Sequence, residues 1–289
     1  MKLAWLTDLH LNFLNKTQRK KFIDTVRSSE TDAVLIGGDI GESNTLIEYL
    51  REFEQHLNQD IYFILGNNDY YRGSIEQVRL DISNISNNSK KLNWLPNIGI
   101  KELTSKTALI GHGAWADGRL GDFINSDLVL NDYIWIKEFN PSLFMLSDGK
   151  DIKSSHPTSS VSIEPHVKIG RLKTMNRLGD EAAQHVQKFL LKALEFYDRV
   201  IFLTHVPPFK ESCLYRKSYS EAEALPHYSC KAVGDVIVQI MEQHSEKHLT
   251  VLCGHTHTKC ELSVLPNLLV LTGAAQYSNP EIQKVFEIS

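Results

Sequence analysis

Short apolar runs alternate with amphipathic stretches through the first third of the chain. Leu3 to Thr7, Ala33 to Ile36 and Ile61 to Leu65 are too short for helices and predict buried strands. Between them, Phe22, Ile23 and Val26 within residues 17–27 recur at helical spacing, as do Leu46, Ile47, Leu50, Phe53 and Leu57. Ile75, Val78, Ile82 and Ile85 mark a third helix. This β-α-β-α-β rhythm predicts an α/β architecture with parallel strands.

The second half is less regular. Ala108 to Ile110 predicts a strand, and an irregular insertion is expected over about residues 114–172. Its stretch Ser147 to Glu164 holds six serines and few large apolar groups, which predicts a surface loop, with a lid as the alternative. A helix built on Ala183, Val186, Phe189, Leu190 and Leu194 follows, then a strand at 200–204 and a helix near 231–243. Leu249 to Cys253, Glu261 to Leu265, Leu268 to Thr272 and Val285 to Ile288 predict closing strands. With no repeat and no linker, residues 1–289 are expected to form one domain.

Composition narrows the class. The 289 residues are 42% hydrophobic and 23% charged, which excludes disordered, collagenous and coiled-coil chains. The net charge is −4, and no basic stripe marks a polyanion-coating surface. Cys213, Cys230, Cys253 and Cys260 form no C-x-x-C pair and predict reduced thiols. The N-terminal apolar run lacks a signal-peptide pattern, and no stretch is long enough to span a membrane. A cytoplasmic protein is expected, of undetermined oligomeric state.

Candidate chemistry appears where strands stop. The strand ends carry Asp8-Leu9-His10, Gly38-Asp39, Gly66-Asn67-Asn68-Asp69, Thr204-His205 and Gly254-His255-Thr256-His257. Ligands of open α/β sheets sit beyond the carboxyl ends of the strands, so these five loops can converge. Asp8, Asp39, Asn67, His10, His205, His255 and His257 offer two carboxylates, one amide oxygen and four imidazoles. Mixed nitrogen and oxygen donors suit Mn, Fe or Zn. Seven donors exceed the needs of one tetrahedral ion, so two divalent ions sharing a carboxylate fit better.

The ordered set D-x-H, G-D, G-N-x-D, H, G-H-x-H resembles the calcineurin-like metallophosphoesterases, with matching residues from Asp8 to His257. The resemblance implies a four-layer sandwich: two facing mixed β-sheets flanked by helices, with a dimetal site at one edge. It implies that Asp8, His10 and His257 hold one metal, that Asn67, His205 and His255 hold the other, and that Asp39 bridges. It also implies a hydroxide shared by both ions as the nucleophile attacking phosphorus.

One position departs from the family pattern. Asn68 stands where the family usually has a histidine thought to protonate the leaving group, oriented by an acid, here Asp69. An amide donates a hydrogen bond but supplies no proton near neutral pH. Asp69 is then expected to orient Asn68 or a metal-bound water. His112, after the predicted strand 108–110, is the first candidate for a substitute acid, followed by His156, His166 and His227. Arg119, Arg171, Arg177 and Arg216 are candidate phosphate contacts, with surface ion pairs the simpler expectation for Arg119. Thr204 to Pro208 predicts a rigid turn fixing His205, and Lys16 to Lys21 a solvated helix face. The function expected is a phosphodiesterase or a phosphatase for activated monoesters acting on a small phosphoester. A non-catalytic protein-binding scaffold or a nuclease are the alternatives, the nuclease disfavoured by the missing basic stripe.

Overall fold

The computed structural model describes residues 1–140, 165–214 and 221–289. Its strands are β1 (Lys2–Leu6), β2 (Ala33–Gly37), β3 (Asp60–Ile64), β4 (Leu92–Trp94), β5 (Ile100–Glu102), β6 (Thr107–Gly111), β7 (Arg199–Leu203), β8 (His248–Cys253), β9 (Cys260–Leu265), β10 (Leu268–Thr272) and β11 (Lys284–Glu287). They form two sheets, in the orders β11-β1-β2-β3-β4 and β5-β6-β7-β8-β10-β9. Each sheet is parallel at its centre: β1 to β4 run together, as do β6, β7, β8 and β10. The edge strands β11, β5 and β9 are antiparallel. Two mixed sheets flanked by helices are the architecture expected from the motifs.

Strand alternation explains the layers. Leu3 and Trp5, Ala33 and Leu35, Tyr62 and Ile64 pack with Leu109, Ile201, Leu203, Leu252 and Leu271, a layer drawn from both sheets. The alternate residues Leu6, Val34, Ile36, Phe63, Ile110, Phe202 and Val251 join the larger cluster that includes the helices. Strands buried on both faces read as continuous apolar runs, which is why they were visible in the sequence.

The first three helices follow from their stripes. Helix α1 (Lys16–Arg27) opens on a capping box between Asn15 and Gln18 and buries Phe22, Ile23 and Val26. Its Lys16, Lys20 and Lys21 are solvated as expected, but Arg19 is not. Arg19 lies buried, bonded to Glu52 and Glu48 and seated over the Tyr49 ring of α2 (Leu46–His56). Helix α3 (Ile75–Asn87) starts at a Ser74 cap and buries Ile75, Val78 and Ile82.

The expected insertion needs correction at its end. Helix Pro165–Phe196 begins well before residue 172 and runs for 32 residues. Its first fully buried side chain is Met175, and the earlier turns place only scattered apolar residues, Leu172 among them, partly against the core. A short helix, Asp132–Trp135, also lies inside the expected irregular stretch. The serine-rich part, residues 147–164, falls outside the described residues. Strands β4 and β5 and the helices Leu95–Ile98 and Glu221–Tyr228 had no sequence expectation; three of the four are no longer than four residues. All four cysteines are free thiols, and no helix among the described residues is long and apolar enough to cross a membrane.

Candidate metal centre

Five loops at the carboxyl ends of β1, β2, β3, β7 and β8 meet at one edge of the sandwich. They turn sharply on non-glycine residues. Asp8 (φ 52°), His10 (φ 42°), Asp39 (φ 52°), His255 (φ 70°) and His257 (φ 56°) are all left-handed. That backbone costs roughly 1–2 kcal/mol per residue and persists only where the surroundings over-determine it. Here the restraints are visible: Asp8 N donates to Gly38 O (3.1 Å), His10 N to Asp39 O (2.8 Å) and Gly254 N to His205 O (2.9 Å). His205 and Val206 donate their backbone N–H groups to Gly113 O, at 3.1 and 3.2 Å. Two glycines let the loops close: a Cβ on Gly66 would strike Asp39 Oδ1, and one on Gly254 would strike the Asp8 carboxylate.

The structure brings all seven donor residues together, in two groups that share Asp39. In one, Asp8, His10, Asp39 and His257 have donor atoms within 4.8 Å of one another. His10 Nε2 lies 3.0 Å from His257 Nε2, and Asp8 Oδ1 lies 3.3 Å from His257 Nε2. In the other, Asn67 Oδ1 lies 3.1 Å from both His205 Nε2 and His255 Nδ1. Asp39 faces both: its Oδ2 is 3.8 Å from His10 Nε2, and its Oδ1 is 3.3 Å from His205 Nε2.

Two imidazoles are aimed by backbone carbonyls. His205 Nδ1 meets Gly37 O at 2.9 Å, and His255 Nε2 meets His227 O at 3.2 Å. A ring that donates to a carbonyl with one nitrogen presents the other as a lone pair, the arrangement typical of metal-bound histidine. Charges are balanced by the same contacts. Burial opposes the charge on Asp8, yet the His257 bond and the field of His205 take its carboxyl well below the usual range. Burial also opposes Asp39, whose carboxyl is lowered by His205. His205, penalised by burial, is raised to about 10 by Asp39. Burial and the His205 charge bring His255 down to about 4, and burial lowers His10. Two buried carboxylates, imidazole lone pairs and an amide oxygen converging this tightly fit divalent cations of the Mn, Fe or Zn type.

The remaining site expectations divide. Asn68 lines the cavity beside the centre and holds Asp39: its Nδ2 donates to Oδ2 (2.6 Å) and its backbone N–H to Oδ1 (2.9 Å). Asp69 orients neither Asn68 nor the cavity. Its Oδ1 accepts from Ile40 N (2.8 Å) and Gly41 N (2.9 Å), and its Oδ2 from Gly66 N (2.9 Å). It bolts the loop after β2 to the loop after β3. Burial and the Asp39 charge push its carboxyl up to about 7.

His112 does not reach the cavity. Its Nδ1 accepts from Ala114 N (3.0 Å), its ring packs 5.0 Å from that of His185, and burial holds it neutral, well below the usual value. The substitute-acid expectation for His112 is therefore withdrawn. His166 is exposed on the long helix. His227 is buried beside Tyr133 and Ser126 and contributes its carbonyl to His255. Arg119 pairs with Asp117 and Asp180, Arg177 with Glu181, and Arg171 caps the Tyr133 ring and carbonyl. His156 and Arg216 lie outside the described residues.

A cavity of about 900 Å³ opens over the centre. Its walls include Asn131, Asp132, Tyr228, Gln276, Tyr277, Asn279 and Glu281 besides Asp39, Asn67, His255 and His257. Sequence reasoning missed Tyr71 and Asp132. Asn67 Nδ2 donates to Asp132 Oδ1 (2.8 Å), and Tyr71 Oη donates to the same oxygen (2.7 Å). Burial pushes the Asp132 carboxyl up to about 6, against those two bonds. Tyr71, four residues after Asn67, was within reach of a local reading; Asp132, from the irregular stretch, carried no signal.

Known proteins resemble this chain in sequence and in fold. A curated relative in Helicobacter pylori strain J99, an uncharacterized metallophosphoesterase, is 34% identical over 79 residues, 25% of this chain and 21% of that protein. The alignment thus spans about a fifth of that relative's length. Among solved structures, the phosphopantetheinyl hydrolase of Mycobacterium tuberculosis superimposes with a TM-score of 0.60 at 12% identity, covering 96% of this chain and 90% of that one. A dimetal phosphatase from Danio rerio superimposes with a TM-score of 0.56 at 12% identity, covering 97% and 89%. At such identities they share the fold. The profile of the calcineurin-like phosphoesterases matches residues 1–259, which include every strand-end loop from Asp8 to His257. The chain belongs to the calcineurin-like phosphoesterase family.

Proposed function

We propose that this chain hydrolyses small phosphoesters at a centre of two divalent cations. Asp8, His10 and His257 hold one, Asn67, His205 and His255 hold the other, and Asp39 lies between them. The observation that carries the reading is Asp39 itself, which turns one carboxylate oxygen toward each donor group. Two such cations supply positive charge that polarises phosphoryl oxygens and lowers the pKa of water.

The chain's own residues then set the substrate. Asn68 fixes Asp39 through its amide, which releases no proton near neutral pH, so it cannot protonate a departing alkoxide. General acid catalysis is typically worth about 10²–10⁴-fold, and its absence favours esters whose leaving group departs unaided. That selects phosphodiesters with acidic leaving groups and activated monoesters such as aryl phosphates. Half-exposed Tyr277, its ring 4.8 Å from His10 and 5.3 Å from His257, gives an aromatic leaving group a surface to rest on. Four free thiols, three of them buried, fit a reducing cytoplasm.

The test is metal reconstitution. Protein loaded with Mn²⁺ is expected to hydrolyse an aryl phosphodiester and an aryl phosphomonoester, and Asp39→Asn is expected to abolish both activities. No turnover with Mn²⁺, Fe²⁺, Zn²⁺ or Ni²⁺ refutes the proposal.

A further inference from the structure

The Asn67 amide has two faces, and only one serves a cation. Its oxygen carries lone pairs; its nitrogen carries none to share and presents two hydrogens. The oxygen points at His205 Nε2 and His255 Nδ1, each 3.1 Å away. Those atoms are the ring nitrogens left over when the other nitrogen of each ring faces a backbone carbonyl. To hold a cation both must present lone pairs, and in that state both are acceptors. Left to itself, the amide would turn its NH₂ group toward them and satisfy both. That flipped amide would put hydrogens where a cation needs an oxygen.

Something must hold the amide the other way, and a buried carboxylate does. An ionised carboxylate only accepts. Asp132 Oδ1, 2.8 Å from Asn67 Nδ2, therefore claims the NH₂ side and sends the oxygen inward. Tyr71 Oη donates to the same Asp132 oxygen at 2.7 Å and lies 3.2 Å from Asn67 Nδ2. The next residue extends the arrangement. Tyr133 Oη lies 2.6 Å from His227 Nδ1, and the His227 carbonyl aims His255. Consecutive residues of one short helix thus touch Asn67 directly and His255 only through His227. Among the described residues, the side chains of Asp8, His10 and His257 receive no such contact from that helix. They bond to Thr7, to one another and to the His255 backbone.

We propose that Asp132 is a positioning residue that selects the metal-binding face of the Asn67 amide, so that one half of the dimetal centre depends on the helix Asp132–Trp135 while the other half does not. This rests on the two-cation reading above. It makes the two sites separable: damage to Asp132 empties the Asn67, His205 and His255 site and leaves its neighbour filled.

The test counts Mn²⁺ bound per chain, by equilibrium dialysis with elemental analysis, and reads the spin-coupling of the pair by paramagnetic resonance. Activity is not required. In Asp132→Ala, affinity for the second Mn²⁺ is expected to fall about 10–100-fold, the usual effect of losing a partner of a metal ligand. The first Mn²⁺ stays, and the coupled signal gives way to that of an isolated ion. Asp132→Asn keeps an acceptor oxygen for Asn67 Nδ2 and should retain both ions. Asn67→Asp placed in the Asp132→Ala background has oxygen on both faces, needs no selection, and should recover the second ion. This double variant also serves if Asp132→Ala alone folds poorly.

Asp132→Ala that binds two Mn²⁺ with unchanged affinity overturns the proposal. So does Asp132→Asn losing as much as Asp132→Ala, because charge rather than orientation would then be at work. A parent protein that never binds a pair of Mn²⁺ overturns the two-cation reading itself, a different result from either.

Discussion

Replacing Asp69 separates two accounts of this acid. If it served the leaving group, its loss would lower turnover and leave the fold intact. The structure predicts the opposite emphasis. Its carboxylate is fully buried and accepts three backbone N–H bonds, from Ile40, Gly41 and Gly66. In Asp69→Ala all three donors lose their partner in a place that the fold has sealed. An unsatisfied buried donor costs roughly 1–3 kcal/mol, so three sum to roughly 3–9 kcal/mol, toward the low end because water can enter the space and because removing a carboxyl that burial and Asp39 raise to about 7 relieves part of its own charge penalty. At about 2–4 °C per kcal/mol for a chain somewhat shorter than this, even 3 kcal/mol lowers Tm by roughly 6–12 °C.

Asp69→Asn is the graded control. Its remaining oxygen can serve Ile40 and Gly41, but its NH₂ then faces the Gly66 N–H. Roughly a third to a half of the loss is expected, about 1–1.5 kcal/mol at the low end. The assay is urea unfolding of metal-free protein at about pH 8, above the value of about 7 to which burial and Asp39 raise the carboxyl. Metal-free protein keeps cation binding out of the comparison. Asp69→Ala within about 1 kcal/mol of the parent would refute the reasoning, since it would mean that the three N–H groups find other partners at no cost.

Other substitutions probe the same neighbourhood. Gly66→Ala drives a methyl into Asp39 Oδ1 and toward His205, so Mn²⁺ binding by dialysis should collapse; binding equal to the parent's would show that the loops can part. Asn68→His should raise hydrolysis of alkyl phosphomonoesters more than of aryl esters, by a factor of up to about 10²–10⁴; equal gains on both would dismiss the missing proton as the cause. The buried His112 and the half-buried His185 predict acid sensitivity. Burial holds His185 at about 4 against an ordinary 6.5, and His112 is also well below it. Below about pH 6.5 the unfolded chain takes up protons that the folded chain refuses, so stability is complete above that pH and falls toward about pH 4. Urea midpoints at about pH 7, 6 and 5 should drop in that order, less steeply in His185→Phe; a flat series contradicts it.

Much of this molecule could be read from its residues because its centre is built on buried parallel strands. Such strands are unbroken apolar runs, and each polar cluster at a run's end is conspicuous against them. Asp8, Asp39, Asn67 and His205 were legible for that reason. Short edge elements were not: β5 has three residues, none fully buried, and offers no alternation to detect. The start of helix Pro165–Phe196 hid because no side chain before Met175 is fully buried. Asp132 hid for another reason. Its partner Asn67 is 65 residues away, and a carboxylate that aims an amide looks, in one dimension, like any acid in a loop. The reading of Asp69 failed in the same way, since its partners are backbone groups that no side-chain pattern announces.

The centre takes Asp8, His10, Asp39 and Asn67 from the β1–β4 sheet and His205, His255 and His257 from the other. A nascent chain therefore cannot acquire a complete set of donors until residue 257 has emerged from the ribosome. Loading must follow synthesis, and truncated products ending before His255 should be inert toward phosphoesters however well their first sheet folds. On the two-cation reading, each cation would also act as a rivet across the two halves, so stripping the metal should let them slide more readily than it unravels either one.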